Sequence, residues 1–172
     1  TAFARTYDQQ QWAHAFGVSS LPTRLPQDQS ESWRQYEWFY GEAPAAQKTV
    51  TVINEPIRIL MLGIHMAGRN LTPETFRDGL FAYPPSGGYP TNPRVSFGDH
   101  DLFRAPDFNA VDDMQVIWWN ADLKGPDEQG EEGTGMMMSA DGGKRYLPGE
   151  MPDTPANVFD PDGAVAMYDE LP

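Results

Sequence analysis

Residues 54–80 read NEPIRILMLGIHMAGRNLTPETFRDGL, and this stretch decides the fold. Asn54 is of the helix-capping type, and Pro56 falls in a first turn, where a missing N–H costs nothing. From residue 57 to 67 apolar side chains lie almost all round: Ile57, Ile59, Leu60, Met61, Leu62, Ile64, Met66 and Ala67. A helix with so little polar face has to be enclosed by other elements. Gly68 stands where the helix would stop. A second start follows at once, with Thr72 as cap, Pro73 at the first helical position and Glu74 in the positive first turn. Two helices meeting at a corner, one enclosed and one amphipathic, belong to a layered α/β or α+β domain.

Upstream of this corner, residues 1–7 show no period and read as an extended lead-in. Asp8 and Gln11 have capping-box spacing, Trp12 and Phe16 fall four apart on one helical face, and Gly17 would end that helix. A loop with two prolines follows. Asp28 and Glu31 repeat the cap spacing ahead of a helix carrying Trp33, Tyr36, Phe39 and Tyr40, closed by Gly41. Core packing is the expected use of that aromatic stripe; stacking on a sugar or base would need the rings exposed. Residues 42–47 form a Pro/Ala linker. Val50, Val52 and Ile53 then lead into the apolar helix, as its fraying start or as a short extended piece.

Downstream the texture changes. Pro84, Pro85, Gly87, Gly88, Pro90 and Pro93 make residues 83–93 a rigid loop. Residues 94–97 alternate like a short strand. Residues 114–119, MQVIWW, are the best strand in the chain, with Met114, Val116 and Trp118 on one face and Ile117 and Trp119 on the other. Such a strand lies inside a sheet with layers above and below. Residues 121–172 contain six prolines and eight glycines. They read as an irregular tail lying on the body, with one or two short strands.

The formal net charge of −13 is unevenly placed. Residues 1–70 hold six acids (Asp8, Asp28, Glu31, Glu37, Glu42, Glu55) and six bases (Arg5, Arg24, Arg34, Lys48, Arg58, Arg69), so residues 71–172 carry the whole excess. Phosphate repels such a surface, which argues against nucleic acid and anionic membranes as partners. With no cysteine there is no disulfide, zinc–thiolate site or thiol nucleophile. No run approaches the ~18 apolar residues of a membrane span. The chain opens at Thr-Ala-Phe without a signal peptide, as a mature or cut product would.

Local motifs carry little chemistry. His14 and His65 lie in expected helices and read as structural residues. His100, in Gly98-Asp99-His100-Asp101, has two carboxylates nearby but no second ligand pair. Asp160-Pro161-Asp162-Gly163 resembles the start of a calcium loop, lacks its later oxygens, and suits an ordinary turn better. Asp112 and Asp113 are adjacent, and neighbours on a strand point to opposite faces, which does not suit an acid/base pair. No nucleophile elbow, phosphate loop or dinucleotide fingerprint is present. No catalytic residue, metal ligand or cofactor is expected, and the chain is not read as an enzyme.

The order of elements carries a resemblance. An aromatic helix over residues 30–40 precedes the apolar helix ending Ala67-Gly68. Then come Leu71-Thr72-Pro73-Glu74-Thr75-Phe76-Arg77-Asp78-Gly79-Leu80, a Gly/Pro loop, and Arg94-Val95-Ser96-Phe97-Gly98-Asp99-His100-Asp101. An aromatic strand closes the series, Asp113-Met114-Gln115-Val116-Ile117-Trp118-Trp119-Asn120-Ala121-Asp122. Over residues 28–122 this resembles the C-terminal part of the type I periplasmic-binding fold. It is similar to the branched-chain amino acid (leucine/isoleucine/valine-type) solute-binding proteins of ABC importers.

The resemblance implies an α/β fold of two lobes joined by three crossovers, with ligand held between them. Residues 1–112 would be part of lobe one, a helical layer plus a short strand. Residues 113–172 would be the return strand to lobe two and the irregular acidic tail. The chain would be a fragment, lacking the first lobe's earlier βαβ units. Thr1 and Phe3, beside a crossover, would approach the cleft and bind ligand. The implied partners are an amino-acid-like small molecule, the remaining N-terminal part of the same protein and an ABC permease, outside the cytoplasmic membrane. A ligand sensor of the same fold and a secreted acidic module binding calcium through the tail are the alternatives.

Overall fold

The computed structural model describes residues 1–46, 50–154 and 157–168; linker residue 47 and tail residues 169–172 lie outside these. The fold is mixed α/β. Four helices, α1 (Gln9–Trp12), α2 (Glu31–Tyr40), α3 (Val50–Ala67) and α4 (Pro73–Ala82), accompany five strands: β1 (Phe16–Ser19), β2 (Met114–Pro126), β3 (Glu132–Ser139), β4 (Arg145–Tyr146) and β5 (Val165–Ala166). Every strand pair is antiparallel, in the order β1-β2-β3-β5, with β4 beside the start of β2.

β2 is the centre of the sheet, as its sequence implies. Val116 and Trp118 on one face and Gln115 and Trp119 on the other are all buried. The first face packs with Met136, Met138, Ala140, Tyr146 and Ala166 into one core. A second core gathers Leu80, Val95, Phe97 and Ala110 under Ile59, Leu62, Phe76 and Phe81 of the helical corner.

That corner forms as its residues dictate. Gly68 leaves α3 in the left-handed region at φ 69°. Thr72 caps α4 by accepting the N–H of Thr75, and the Thr75 hydroxyl answers to the N–H of Thr72. Pro73 holds the first position. The helices cross closely because Gly63 faces the Phe76 ring and Gly79 faces Met66.

Several sequence expectations are corrected. α3 starts at Val50, so Asn54 and Pro56 sit inside the helix instead of at its start. The helix after Asp8 ends at Trp12. Phe16 and Gly17 pair with Trp118 and Ile117, and this sheet register prevails over the Trp12/Phe16 helical spacing. Residues 94–97 make isolated bridges, Val95 to Ser86 and to Val111, and no continuous strand.

The tail is the larger correction. Residues 132–139 form a full strand on β2, and Met136, Met138 and Ser139 in its second half are among the best-buried residues of the chain. EGTGMMMS has the weak β-propensity of Gly and Met, and its strand character comes from the long partner beside it.

Apolar surface expected in the core is bare on two helices. In α2, Phe39 (71% exposed) and Tyr40 of the expected stripe stand in solvent while Trp33 and Tyr36 are half-buried, and Trp38, outside that stripe, is 85% exposed. In α3, Ile57, Leu60, Met61 and Ile64 are exposed. They follow one another at i, i+3, i+4 and i+7, one stripe of a helix. Ile59, Leu62 and Phe76 on the α4 side join the second core. Thus α3 has two apolar faces, and only one is covered among the described residues.

Candidate functional site

Thr1 and Phe3, the residues expected to approach a ligand, open a short 3₁₀ turn over Ala4–Thr6. The Thr1 amino nitrogen lies 3.0 Å from Glu128 Oε2, and the Ala2 N–H donates to the same oxygen at 3.1 Å. Phe3 is 79% exposed, so the two residues do not converge on one enclosed space. Gln27 donates its side-chain amide to the Glu128 carbonyl, which joins this turn to the segment before α2.

Arg5, unremarked in the sequence, organises this end. Its guanidinium donates to the carbonyls of Gly125 (2.7 Å), Gly135 (3.1 Å), Glu131 (3.1 Å) and Gly133 (3.2 Å) across the β2–β3 hairpin. Asp127 Oδ2 stands 3.8 Å away. Such a fork suits arginine and no other side chain.

At the other end of β2 lies a buried polar junction. Asp113 Oδ1 accepts from Arg145 Nε at 2.8 Å and from the Arg94 N–H at 3.0 Å. Arg145 continues to the carbonyls of Leu21, Ser20 and Asp113. The Thr23 hydroxyl bridges Gln115 Oε1 at 2.9 Å and Ser139 Oγ at 3.0 Å. Asp112 points away from Asp113, as neighbours on an extended chain do, and accepts from Ser96 Oγ at 2.6 Å. These contacts tie residues 20–23 and 94–96 to the sheet; none opens onto a cleft. The signal for them was present: two carboxylates directly before a strand whose Gln115, Val116, Trp118 and Trp119 are buried need buried partners.

Burial pushes the Asp112 carboxyl above its ordinary value, with the Ser96 hydroxyl opposing and the Asp107 charge adding to the rise. A folded-state value above the unfolded one favours the protonated form. Stability from this group is therefore complete below the ordinary carboxylate range and is lost as pH rises through the raised value. Asp112→Asn keeps the acceptor for Ser96 without the charge. Thermal melts should show the variant more stable than the parent at pH 7, by about 2–4 °C. The gain should vanish toward the acid end of the folded range.

The histidines do not assemble a centre. His14 and His65 are exposed, and His100 Nε2 lies 3.0 Å from the Phe97 carbonyl within its own turn. Asp160 Oδ1 accepts the N–H of Asp162 at 2.9 Å, the geometry of an Asx turn. Among the described residues no three His, Asp or Glu side chains come together as metal ligands. No helix among them is long and apolar enough to cross a membrane.

Among the described residues the molecule offers a partner apolar surface and a groove before α2. The Trp38, Phe39 and Tyr40 rings of α2 and the Ile57, Leu60, Met61 and Ile64 stripe of α3 all stand in water. The groove lies between the segment before α2 and the β2–β3 hairpin, lined by Trp33 and Tyr168. The chain matches no protein-family model, no curated protein and no solved structure.

Proposed function

We propose that this chain is part of an extracytoplasmic solute-binding component of an ABC importer. It holds an amino-acid-like molecule by hinge closure between two lobes, without bond chemistry. The bare stripe Ile57, Leu60, Met61 and Ile64 carries the reading. A helix apolar on two faces is a layer element, and its second face calls for a sheet. In this reading the remaining N-terminal part of the same protein supplies that sheet as the parallel core of lobe one. The antiparallel sheet around β2 then belongs to the return toward lobe two. The unbroken order of aromatic helix, apolar helix, Thr-Pro-Glu-capped helix and aromatic strand supports the same assignment.

Calorimetric titration of the full gene product with a panel of L-amino acids and small peptides tests this. Saturable one-to-one binding of one chemical class, with a more compact liganded form in small-angle scattering, is expected. Absence of binding across the panel, with no compaction, would overturn it.

A further inference from the structure

The groove before α2 holds about 260 Å³ and is walled by Pro26, Trp33, Pro126 and Tyr168. Its charged lining residues are Asp28 and Asp127; no basic side chain lines it. The two acids differ. Asp127 Oδ1 accepts the N–H groups of Gln129 (2.8 Å) and Glu131 (3.0 Å), and its other oxygen faces Arg5, so it is fixed and largely compensated. Asp28 is exposed and has no hydrogen-bond or ion-pair partner among the described residues.

Tyr168 is buried, with its hydroxyl accepting from the Arg24 guanidinium at 3.2 Å and its N–H donating to the Arg24 carbonyl at 2.7 Å. Its backbone sits at φ 67°, which a bulky side chain rarely adopts and which is concentrated at ligand sites. Two aromatic walls, of which Tyr168 is held by Arg24 from outside the lining, and the unpaired Asp28 carboxylate suit a cation with apolar substituents. The volume lies below the ~300–1,000 Å³ of a whole-ligand pocket, which fits a head group and no more. The acidic excess of the chain favours approach of a cation from solution.

We propose that this groove binds an alkylammonium head group, with Asp28 as its counter-charge and Trp33 and Tyr168 as its walls. The inference rests on the solute-binding reading and adds the chemical class of the group bound.

The test titrates the full gene product with tetramethylammonium and butylammonium chloride, against sodium butyrate and sodium chloride at equal ionic strength. Tryptophan fluorescence is the readout, and Trp33→Phe identifies the responding ring. Saturable quenching by both ammonium ions and by neither sodium salt is expected. Asp28→Asn, on an exposed turn, and Trp33→Leu should each weaken binding roughly tenfold. A response equal to that of the sodium salts, or unchanged binding in Asp28→Asn, would overturn the groove assignment. If the gene product still binds an amino acid that ammonium ions do not displace, the groove alone fails. Saturable ammonium binding with no solute from the wider panel bound would instead overturn the importer reading and leave the groove standing.

Discussion

Trp119→Ala lowers the unfolding free energy by about 3–5 kcal/mol, the cost of removing a buried aromatic from a packed core. Trp119 is 1% exposed in the middle of the central strand. Its ring lies against Gly135, which approaches it in a left-handed conformation at φ 100°. Its indole N–H donates to Gln9 Oε1 at 2.8 Å, and Gln9 in turn holds the carbonyls of Ala4 and Tyr7. The side chain thus fastens both the β2–β3 pair and the N-terminal turn. Urea unfolding followed by far-UV circular dichroism measures the loss. Trp119→Phe keeps most of the ring and forfeits the N–H, so it should fall between parent and alanine variant. A Trp119→Ala loss under 1 kcal/mol would mean that the face is less closed than described.

Arg145→Met is expected to cost a similar 3–5 kcal/mol, for a different reason: it leaves the Asp113 carboxylate buried without its ion partner. Both side chains are out of water, and Arg145 makes four hydrogen bonds, two of them to the segment at Ser20 and Leu21. Three consequences separate this from packing loss. The effect should be nearly independent of added salt, because the pair is not screened by solvent. Arg145→Lys should rescue little, since one ammonium cannot reach the positions of a planar fork. Asp113→Asn combined with Arg145→Met should recover part of the loss, since the stranded charge is then gone. Equal losses in the single and double variants would contradict the ion-pair explanation.

The helical corner was legible because its signals are local. Gly68, Thr72 and Pro73 act within one turn of themselves, and the structure places each in the role its chemistry suggests. The burial of β2 on both faces was legible for a similar reason, since Val116, Trp118 and Trp119 have no other tolerable place. The β3 strand was not legible. Gly133, Gly135 and three consecutive methionines give no alternation, and only the register against residues 117–126 makes them a strand.

The helical reading of Trp12 and Phe16 failed on the same ground, as a four-residue pairing with β2 outweighed a local spacing. The role of Arg5 depends on contacts more than 100 residues away, and that of Arg145 on Asp113, 32 residues away, and on Ser20 and Leu21, more than 100 away, which spacing cannot reveal. Thr1 and Phe3 were singled out through the family likeness alone. The structure puts Thr1 beside Glu128 and leaves Phe3 in solvent, while the groove lined by Trp33, Asp28 and Tyr168 had no sequence signal beyond an aromatic residue near a helix cap.

The most direct measurement concerns the second face of α3. The sequence contains no cysteine, so Met61→Cys introduces one thiol at a position 58% exposed on the bare stripe. Labelling with a maleimide is followed by peptide mass spectrometry at this site, once in the 172-residue chain and once in the full gene product. The solute-binding reading predicts rapid labelling in the chain alone and strong protection in the full product, where a sheet covers residues 57, 60, 61 and 64. Equal, rapid labelling in both would show that this face meets water in the whole protein, and would contradict the claim that it is an interior layer.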